Sequence, residues 1–534
     1  MSGLAESEPP APSASRPPLP WHPIGFAAAY VLNAYVATSI SPYAMLRGLF
    51  VAIAIAAVAL GVASLGFRNV RVGAIVATAF VSFMVFGREL VQVVVNAVDL
   101  LPMWQMLPLG VAIAAVIGLA LRLAMRSLRR PDGAARWTRS LNALALILLL
   151  VITVTGVAHG TPVDTIADLA QGVPLEDAPD RSDQAREGPD IYLILLDGHA
   201  RQDVLADRYG YDDGPFLDAL ADRGFEIAGA SHSNYLFTQL TLTSMFQMAL
   251  LDDVPELEPV IAGTAGNATA RHVLNQNPTF AFLRSHGYTT VSFSTPYEYV
   301  TVRQADVFID GPQLTEFEWQ LVASTFAPDV IERFAPTFFP DAQRARIHGA
   351  FDNVVAVARD RNLGPRFVFA HVLAPHTPLV FGPHGEPLDV PVLRRTEDTP
   401  SGLGLSEAEF IERSAGQTAY VDDRAIEAID AILAASPQPP VIIVLSDHGP
   451  RSRPIDPATA TKEVLRERFG TLFAAYTPGL RGVFPPDTTP AEVFVDLLNA
   501  YFDAQLPQPA SGTFVSEGSH AFNVTRVPDP PPPD

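Results

Sequence analysis

The sequence predicts an α/β protein in two parts: an N-terminal bundle of about five transmembrane helices, followed by a doubly wound α/β/α domain. Three observations carry this. Five charge-poor apolar stretches stand in tandem before residue 160, strand-like and helix-like runs alternate beyond residue 190, and the strand-like runs end on Asp and His.

The chain of 534 residues is longer than one ordinary domain, and its mean hydropathy of +0.20 is high for a soluble protein. Residues 1–21 form a Pro/Ser-rich tail without the charged-then-apolar pattern of a cleavable signal, and read as disordered. Residues 22–160 contain the apolar stretches, at 24–41, 49–66, 72–86, 107–121 and 141–158. Each is near the roughly 17–25 residues that cross a hydrocarbon core of about 30 Å. The first carries Asn33, and the third is short unless it continues past Arg88 and Glu89. A single such stretch could be a buried core helix. Five with no polar domain between them read as a membrane bundle.

Charge orients that bundle. "RLAMRSLRRPDGAARWTR" (122–139) holds six arginines against one aspartate, and "RNVR" (68–71) adds two more. With five spans both loops fall on one side, which the positive-inside rule makes cytoplasmic. The expectation is a multi-pass protein of the cell membrane whose residues beyond 160 are extracytoplasmic. The first 159 residues hold 11 Arg and 5 acids, net +6, while the remainder carries net −27 of the chain's −21. So acidic a domain is unsuited to neutralising phosphates, which argues against nucleic acid as a partner. With no cysteine in the chain, the domain must stand on its own core, which its size allows.

Residues 161–189 read as a linker, solvated and rich in Pro, Asp and Gly over "GVPLEDAPDRSDQAREGPD" (172–190). Residues 190–525 are the globular domain, and 526–534, "RVPDPPPPD", form a Pro-rich tail. Within the domain "DIYLILLDG" (190–198), "TTVSFST" (289–295), "RFVFAHVLAPH" (366–376) and "PVIIVLSDHG" (440–449) are continuous runs of β-formers. Helical stretches such as 213–225 and 420–436 lie between them. That alternation implies a parallel sheet covered on both faces, and such sheets bind ligands at the carboxyl ends of their strands. Those ends carry Asp197, then His371 and His376, then Asp447 and His448. One strand-end aspartate is commonplace. Three strands delivering Asp or His to one edge suit zinc or manganese, with calcium or magnesium as further candidates. The bland alternative is a set of capping residues that share an edge.

"PDIYLILLDGHARQDVL", "SHSNYLFTQLTLTSMF", "HVLAPHTPLVF" and "VLSDHG" occur in the order found in sulfatase-like members of the alkaline phosphatase superfamily, which the chain resembles over residues 189–450. The layout of helices plus extracytoplasmic domain looks like that of lipoteichoic acid synthase and the phosphoethanolamine transferases. The resemblance implies an alkaline-phosphatase-like domain in which Asp197, Asp447 and His448 hold one metal. It also implies a nucleophile about forty residues after the first Asp, here in "SNYLFTQLTLTS". Thr238 fits best, because it follows the Asn-Tyr dipeptide, with Thr241, Thr243 and Ser244 as rivals. A threonine hydroxyl is a poor nucleophile unless a metal lowers its pKa, so Thr238 would also be a ligand. His376 falls where relatives bind substrate or assist the leaving group, and His371 could do that instead or support it. His520 could complete a second metal site, and His199 and His232 would be pocket residues at most.

One departure bears on substrate. The C/S-x-P-x-R motif that yields formylglycine in true sulfatases is missing around residue 238. The favoured expectation is therefore a hydrolase or transferase acting on phosphate esters of phosphoglycerol or phosphoethanolamine type in envelope lipids or glycans. A sulfuric ester hydrolase and a catalytically inactive envelope-binding module are the alternatives.

Overall fold

The computed structural model describes residues 18–38, 40, 42–99, parts of 119–130, 132–158, 171–184, 188–263, 266–311, 314–390, 398–517 and 521–533. The chain divides into two compact units. The first takes in residues 1–38, 45–160 and the short segment Ser324–Phe326. Among the described residues its helices include α1 (His22–Thr38), α2 (Pro42–Phe67), α3 (Val70–Asp99) and α4 (Gly133–Ala158). Three stretches, Met45–Phe67, Val70–Arg88 and Gly133–Val157, are long and apolar enough to cross a membrane. They hold the second, third and fifth of the expected spans. The first lies in α1, which has 17 residues, and the fourth falls almost wholly outside the described residues. Small residues such as Ala56 and Ala145 are buried, whereas Phe50, Val58 and Leu65 of α2 and Leu146, Leu150 and Val154 of α4 are exposed. An apolar outer face over small packed residues is what a hydrocarbon solvent selects.

The second unit takes in residues 39–44, 161–323 and 327–534 and holds the sheet. Its strands are β1 (Ile191–Leu196), β2 (Glu226–Ile227), β3 (Thr289–Phe293), β4 (Val307–Ile309), β5 (Arg366–Val372), β6 (Val441–Leu445) and β7 (Phe473–Tyr476). They lie in the order β2-β7-β6-β1-β5-β3-β4. β1 runs parallel to β5 and β6, and β3 parallel to β4 and β5, so the expected runs form the centre. β7 is antiparallel to both β6 and β2, which makes the sheet mixed rather than wholly parallel. A separate hairpin pairs β8 (Thr513–Ser516) with β9 (Val524–Val527).

The relevant helices of this unit are α5 (Gly214–Asp222), α6 (Thr238–Gln247), α7 (Phe338–Arg359), α8 (Glu407–Ala435) and α9 (Val493–Phe502). All six residues of β1 are buried because successive side chains serve opposite layers. Tyr192, Ile194 and Leu196 pack with Phe351 and Val354 of α7 and Val421 and Ile429 of α8. Ile191, Leu193 and Leu195 pack with Phe246 of α6 and with Phe494 and Leu497 of α9. Each fully buried Leu or Ile contributes about 1.5–3 kcal/mol, so this strand is rigidly seated. The segment before β1 is exposed along much of its length yet tethered: Val173 bridges to Val307, and the Arg181 amide donates to the Asn362 carbonyl at 2.6 Å. The Pro-rich end is held as well, with Arg201 Nη2 donating to the Pro531 carbonyl at 3.1 Å.

Candidate active site

The carboxyl ends of β1, β5 and β6 bring their polar residues together. Asp197 follows β1, and Gly198 turns the chain with φ +77°, a left-handed conformation that glycine adopts without strain. The Gly198 amide donates to Asp447 Oδ1 at 3.3 Å, and the His199 amide to Ser446 Oγ at 2.9 Å. The Ser446 hydroxyl in turn donates to the His448 carbonyl at 3.0 Å. The two loops are thus laced to each other. Gly449 has a different reason to be glycine: a Cβ there would lie 1.9 Å from the Glu467 carbonyl oxygen.

Four atoms converge at this edge, and the Thr238 hydroxyl is the one donor among them. His448 Nδ1 lies 2.9 Å from the Gly449 carbonyl, which can only accept, so Nδ1 carries the proton and Nε2 presents its lone pair. Nε2 faces Asp197 Oδ1 at 3.6 Å, Asp447 Oδ2 at 3.5 Å and Thr238 Oγ1 at 3.5 Å. Asp197 Oδ1 and Asp447 Oδ2 are buried without a hydrogen-bond partner. Burial pushes the His448 imidazole down, toward the neutral form that a metal requires. Burial also opposes charge on Asp197, but His376, His371 and His448 together hold its carboxyl below the usual range. Two partnerless carboxylate oxygens, a lone pair and a hydroxyl are a donor set that fits a divalent cation.

The supporting residues are resolved into separate roles. His371 Nε2 donates to Asp197 Oδ2 at 2.9 Å, which leaves Oδ1 as the free oxygen. The His376 amide donates to the Asp197 carbonyl at 2.8 Å, and its Nδ1 donates to the Thr377 carbonyl at 2.9 Å, leaving Nε2 free. Ligand atoms of Asp197, His376 and His448 all lie within 4.8 Å of one another. Thr238 is the first residue of α6 and, with Phe237 and Gln239, lines a cavity of about 870 Å³. The loop before it is anchored by the Asn-Tyr pair. Asn234 Nδ2 donates to the Gly512 carbonyl at 3.0 Å, and the Tyr235 hydroxyl accepts from the Leu251 amide at 2.9 Å.

The three rival hydroxyls are engaged elsewhere. Thr241 donates to the Asp447 carbonyl at 3.1 Å, Thr243 to the Gln239 carbonyl at 2.7 Å and Ser244 to the Ala249 carbonyl at 2.6 Å. His232 is not among the cavity residues, and His520 lies outside the described residues.

Several cavity residues carry no strand-end signal. Arg451 lies across the Phe237 ring at 4.9 Å, pairs with Asp398 and donates to the Leu236 carbonyl at 3.0 Å. Tyr297, Tyr299 and Glu316 complete that wall. Arg451 stands three residues beyond His448, so the sequence signal was the motif's own continuation. His199, by contrast, turns away from the cavity. Its Nε2 pairs with Asp422 Oδ1 at 2.8 Å, and Asp213 completes the cluster.

A mixed α/β sheet with Asp and His side chains gathered at the ends of its central strands defines a sulfatase-like domain. The chain belongs to the sulfatase family, whose profile matches residues 189–479, more than half of its length. A comparison with curated proteins gives no match. Among solved structures, the chain is similar to the C-terminal periplasmic domain of EcEptC from Escherichia coli in complex with Zn. That match has 15% identity and a TM-score of 0.41, over 65% of this chain and 94% of that one. It is similar also to the C-terminal periplasmic domain of phosphoethanolamine transferase EptC from Campylobacter jejuni, at 11% identity and a TM-score of 0.37, over 60% and 92%. The lipoteichoic acid synthase LtaP from Listeria monocytogenes matches at 14% identity and a TM-score of 0.36, over 65% and 80%.

Proposed function

We propose that this chain is a membrane-anchored, metal-dependent hydrolase or transferase acting on phosphate-ester groups, of phosphoglycerol or phosphoethanolamine type, in envelope lipids or glycans. Thr238 is its nucleophile. The observation that carries the reading is the Thr238 hydroxyl, 3.5 Å from the His448 lone pair and beside two buried carboxylate oxygens without partners. Asp197, Thr238, Asp447 and His448 would hold the divalent ion, zinc or manganese by donor type. Such an ion lowers the pKa of a hydroxyl and offsets charge on a transferring phosphoryl group.

The chain's own residues supply the rest. Thr238 Oγ1 attacks phosphorus, the bond to the leaving alcohol breaks, and a phospho-threonine forms that water or an acceptor alcohol later resolves. His376 keeps its Nδ1 proton on the Thr377 carbonyl, so Nε2 can take up the proton that the Thr238 hydroxyl releases on attack and return it to the leaving oxygen. The N-terminal end of α6 and the Arg451 guanidinium, which pairs with Asp398, lie on the cavity wall where they can meet an anionic group. A threonine at 238 cannot become formylglycine, which favours phosphoryl over sulfate chemistry.

The test uses the detergent-purified chain and a generic phosphodiester. Mass spectrometry of the trapped protein should find the adduct on Thr238, and Thr238→Ala should lose turnover by several orders of magnitude while keeping its fold. An adduct on Thr241, Thr243 or Ser244 would move the nucleophile and leave the mechanism. Normal turnover by Thr238→Ala with no adduct would end it, and no turnover by the wild type would favour the inactive binding module. A topology reporter fused after residue 165 should be active only outside the cytoplasm, and one near residue 133 only inside.

A further inference from the structure

We propose that His199, Asp213 and Asp422 form a second cation site, sealed from the catalytic cavity, that binds a divalent metal of the zinc or manganese type. The inference stands apart from the catalytic reading, since none of the three residues lines the cavity.

The argument begins with the atoms left over once every other contact is assigned. His199 Nδ1 lies 2.9 Å from the Ala200 carbonyl, which can only accept, so the ring proton is on Nδ1. Asp422 Oδ2 accepts from the Tyr211 hydroxyl at 2.9 Å. What remains is His199 Nε2 and Asp422 Oδ1, facing each other at 2.8 Å. An imidazole that gives its far N–H to a carbonyl, and a carboxylate whose far oxygen is held by a hydroxyl, are the outer contacts that orient metal ligands.

Asp213 is the independent observation. It is fully buried, and neither of its carboxylate oxygens has a hydrogen-bond partner. Its ligand oxygen and those of the other two residues lie within 4.8 Å of one another. With a neutral imidazole, the cluster would bury two negative charges and no compensating cation. Burial first, and Asp422 after it, push the Asp213 carboxyl up to about 8. That displacement expresses a demand for positive charge beside Asp213. A divalent ion meets that demand at all three residues, whereas a proton shared between His199 and Asp422 leaves both oxygens of Asp213 bare. Nitrogen plus two carboxylates suits zinc or manganese rather than calcium, which prefers an all-oxygen shell.

The consequence is structural. Asp197, a catalytic ligand, lies two residues before His199, and Asp422 lies midway along the 29-residue α8. A cation between them would fix the β1 loop to that helix.

Metal content of the detergent-solubilised full chain, loaded with zinc and dialysed, tests this. Wild type should carry two equivalents, Asp213→Asn one and Asp447→Asn one. Anomalous scattering at the zinc edge from wild-type crystals should give a peak between His199 Nε2 and the two carboxylates. An unchanged count in Asp213→Asn, or a wild-type map with no peak at the cluster, overturns the inference and leaves protons as the compensating charge. If Asp213→Asn fails to fold, the wild-type map decides alone. Loss of metal in Asp213→Asn with none in Asp447→Asn would instead uphold this site and sink the catalytic one.

Discussion

Two Asp–His clusters share the end of one strand, two residues apart in the chain, and burial acts on them in opposite ways. At Asp197, Asp447 and His448 the histidine is pushed down, toward a bare lone pair, and the group opens on a large cavity. At His199, Asp213 and Asp422 the histidine is pushed up, and the ring is fully buried. Both histidines are fully buried and both hold Nδ1–H on a carbonyl of the following residue. The difference lies in distance. Asp422 meets Nε2 at 2.8 Å, close enough to stabilise an imidazolium, while the carboxylates around His448 stand off at 3.5 and 3.6 Å. Desolvation wins where the partner is remote, and the ion pair wins where it is near.

Charge-removing, nearly isosteric variants should separate the two clusters. Asp447→Asn should lose the metal and at least about a thousandfold in turnover of a phosphodiester, because the nucleophile is then an unactivated hydroxyl. Asp422→Asn should instead cost stability, on the order of 3 kcal/mol by chemical denaturation, since it strips a buried charge partner from His199. Turnover of its folded fraction should fall less than tenfold. If Asp422→Asn matched Asp447→Asn in lost turnover with unchanged stability, the distinction between a reactive and a holding cluster would collapse.

The reactive cluster was the more legible of the two, for a physical reason. Asp197, His371, Asp447 and His448 each end or follow a run of β-formers, so a parallel sheet puts them at one edge whatever the details. Thr238 rested on order and resemblance, and what the chain alone could not give was the occupation of its rivals: Thr241 bonds to the Asp447 carbonyl, 206 residues away. Asp422 had no local signal. In "YVDDRAIEAID" it looks like the solvated face of an amphipathic helix, and only Tyr211 and His199, arriving from distant loops, reveal it as buried. β7 was missed for a similar cause, because its pairing with β6 and β2 is antiparallel and long-range. The number of spans was harder still, since α1, at 17 residues, sits at the lower limit of a crossing and the fourth stretch is almost wholly outside the described residues.

A smaller effect should come from the residue that orients a reactive carboxylate without touching the cavity's free atoms. His371 Nε2 occupies Asp197 Oδ2, and that bond decides which oxygen is left for a cation. His371→Ala should therefore weaken metal affinity about 10–100-fold, with turnover restored by excess metal. Loss of turnover that saturating metal does not rescue would make His371 a participant in the chemistry rather than a positioning residue.

The smallest effect should come from Thr241, which joins helix α6 to the loop of Asp447 and His448. Its hydroxyl is buried and donates to the Asp447 carbonyl at 3.1 Å. Thr241→Val keeps the volume and the β-branch, so no cavity opens, but the carbonyl loses a donor and a methyl takes its place. One neutral buried hydrogen bond contributes about 0.5–1.5 kcal/mol, and the cost should fall in that range by denaturation. Because the bond is to the backbone of Asp447 rather than to its carboxylate, Oδ2 and the Thr238 hydroxyl keep their positions. Turnover should change by less than a factor of about three, with metal content unaltered. A loss as large as that of Thr238→Ala, measured side by side on the same phosphodiester, would mean that Thr241 supplies the reacting oxygen and that its bond to Asp447 breaks when substrate enters.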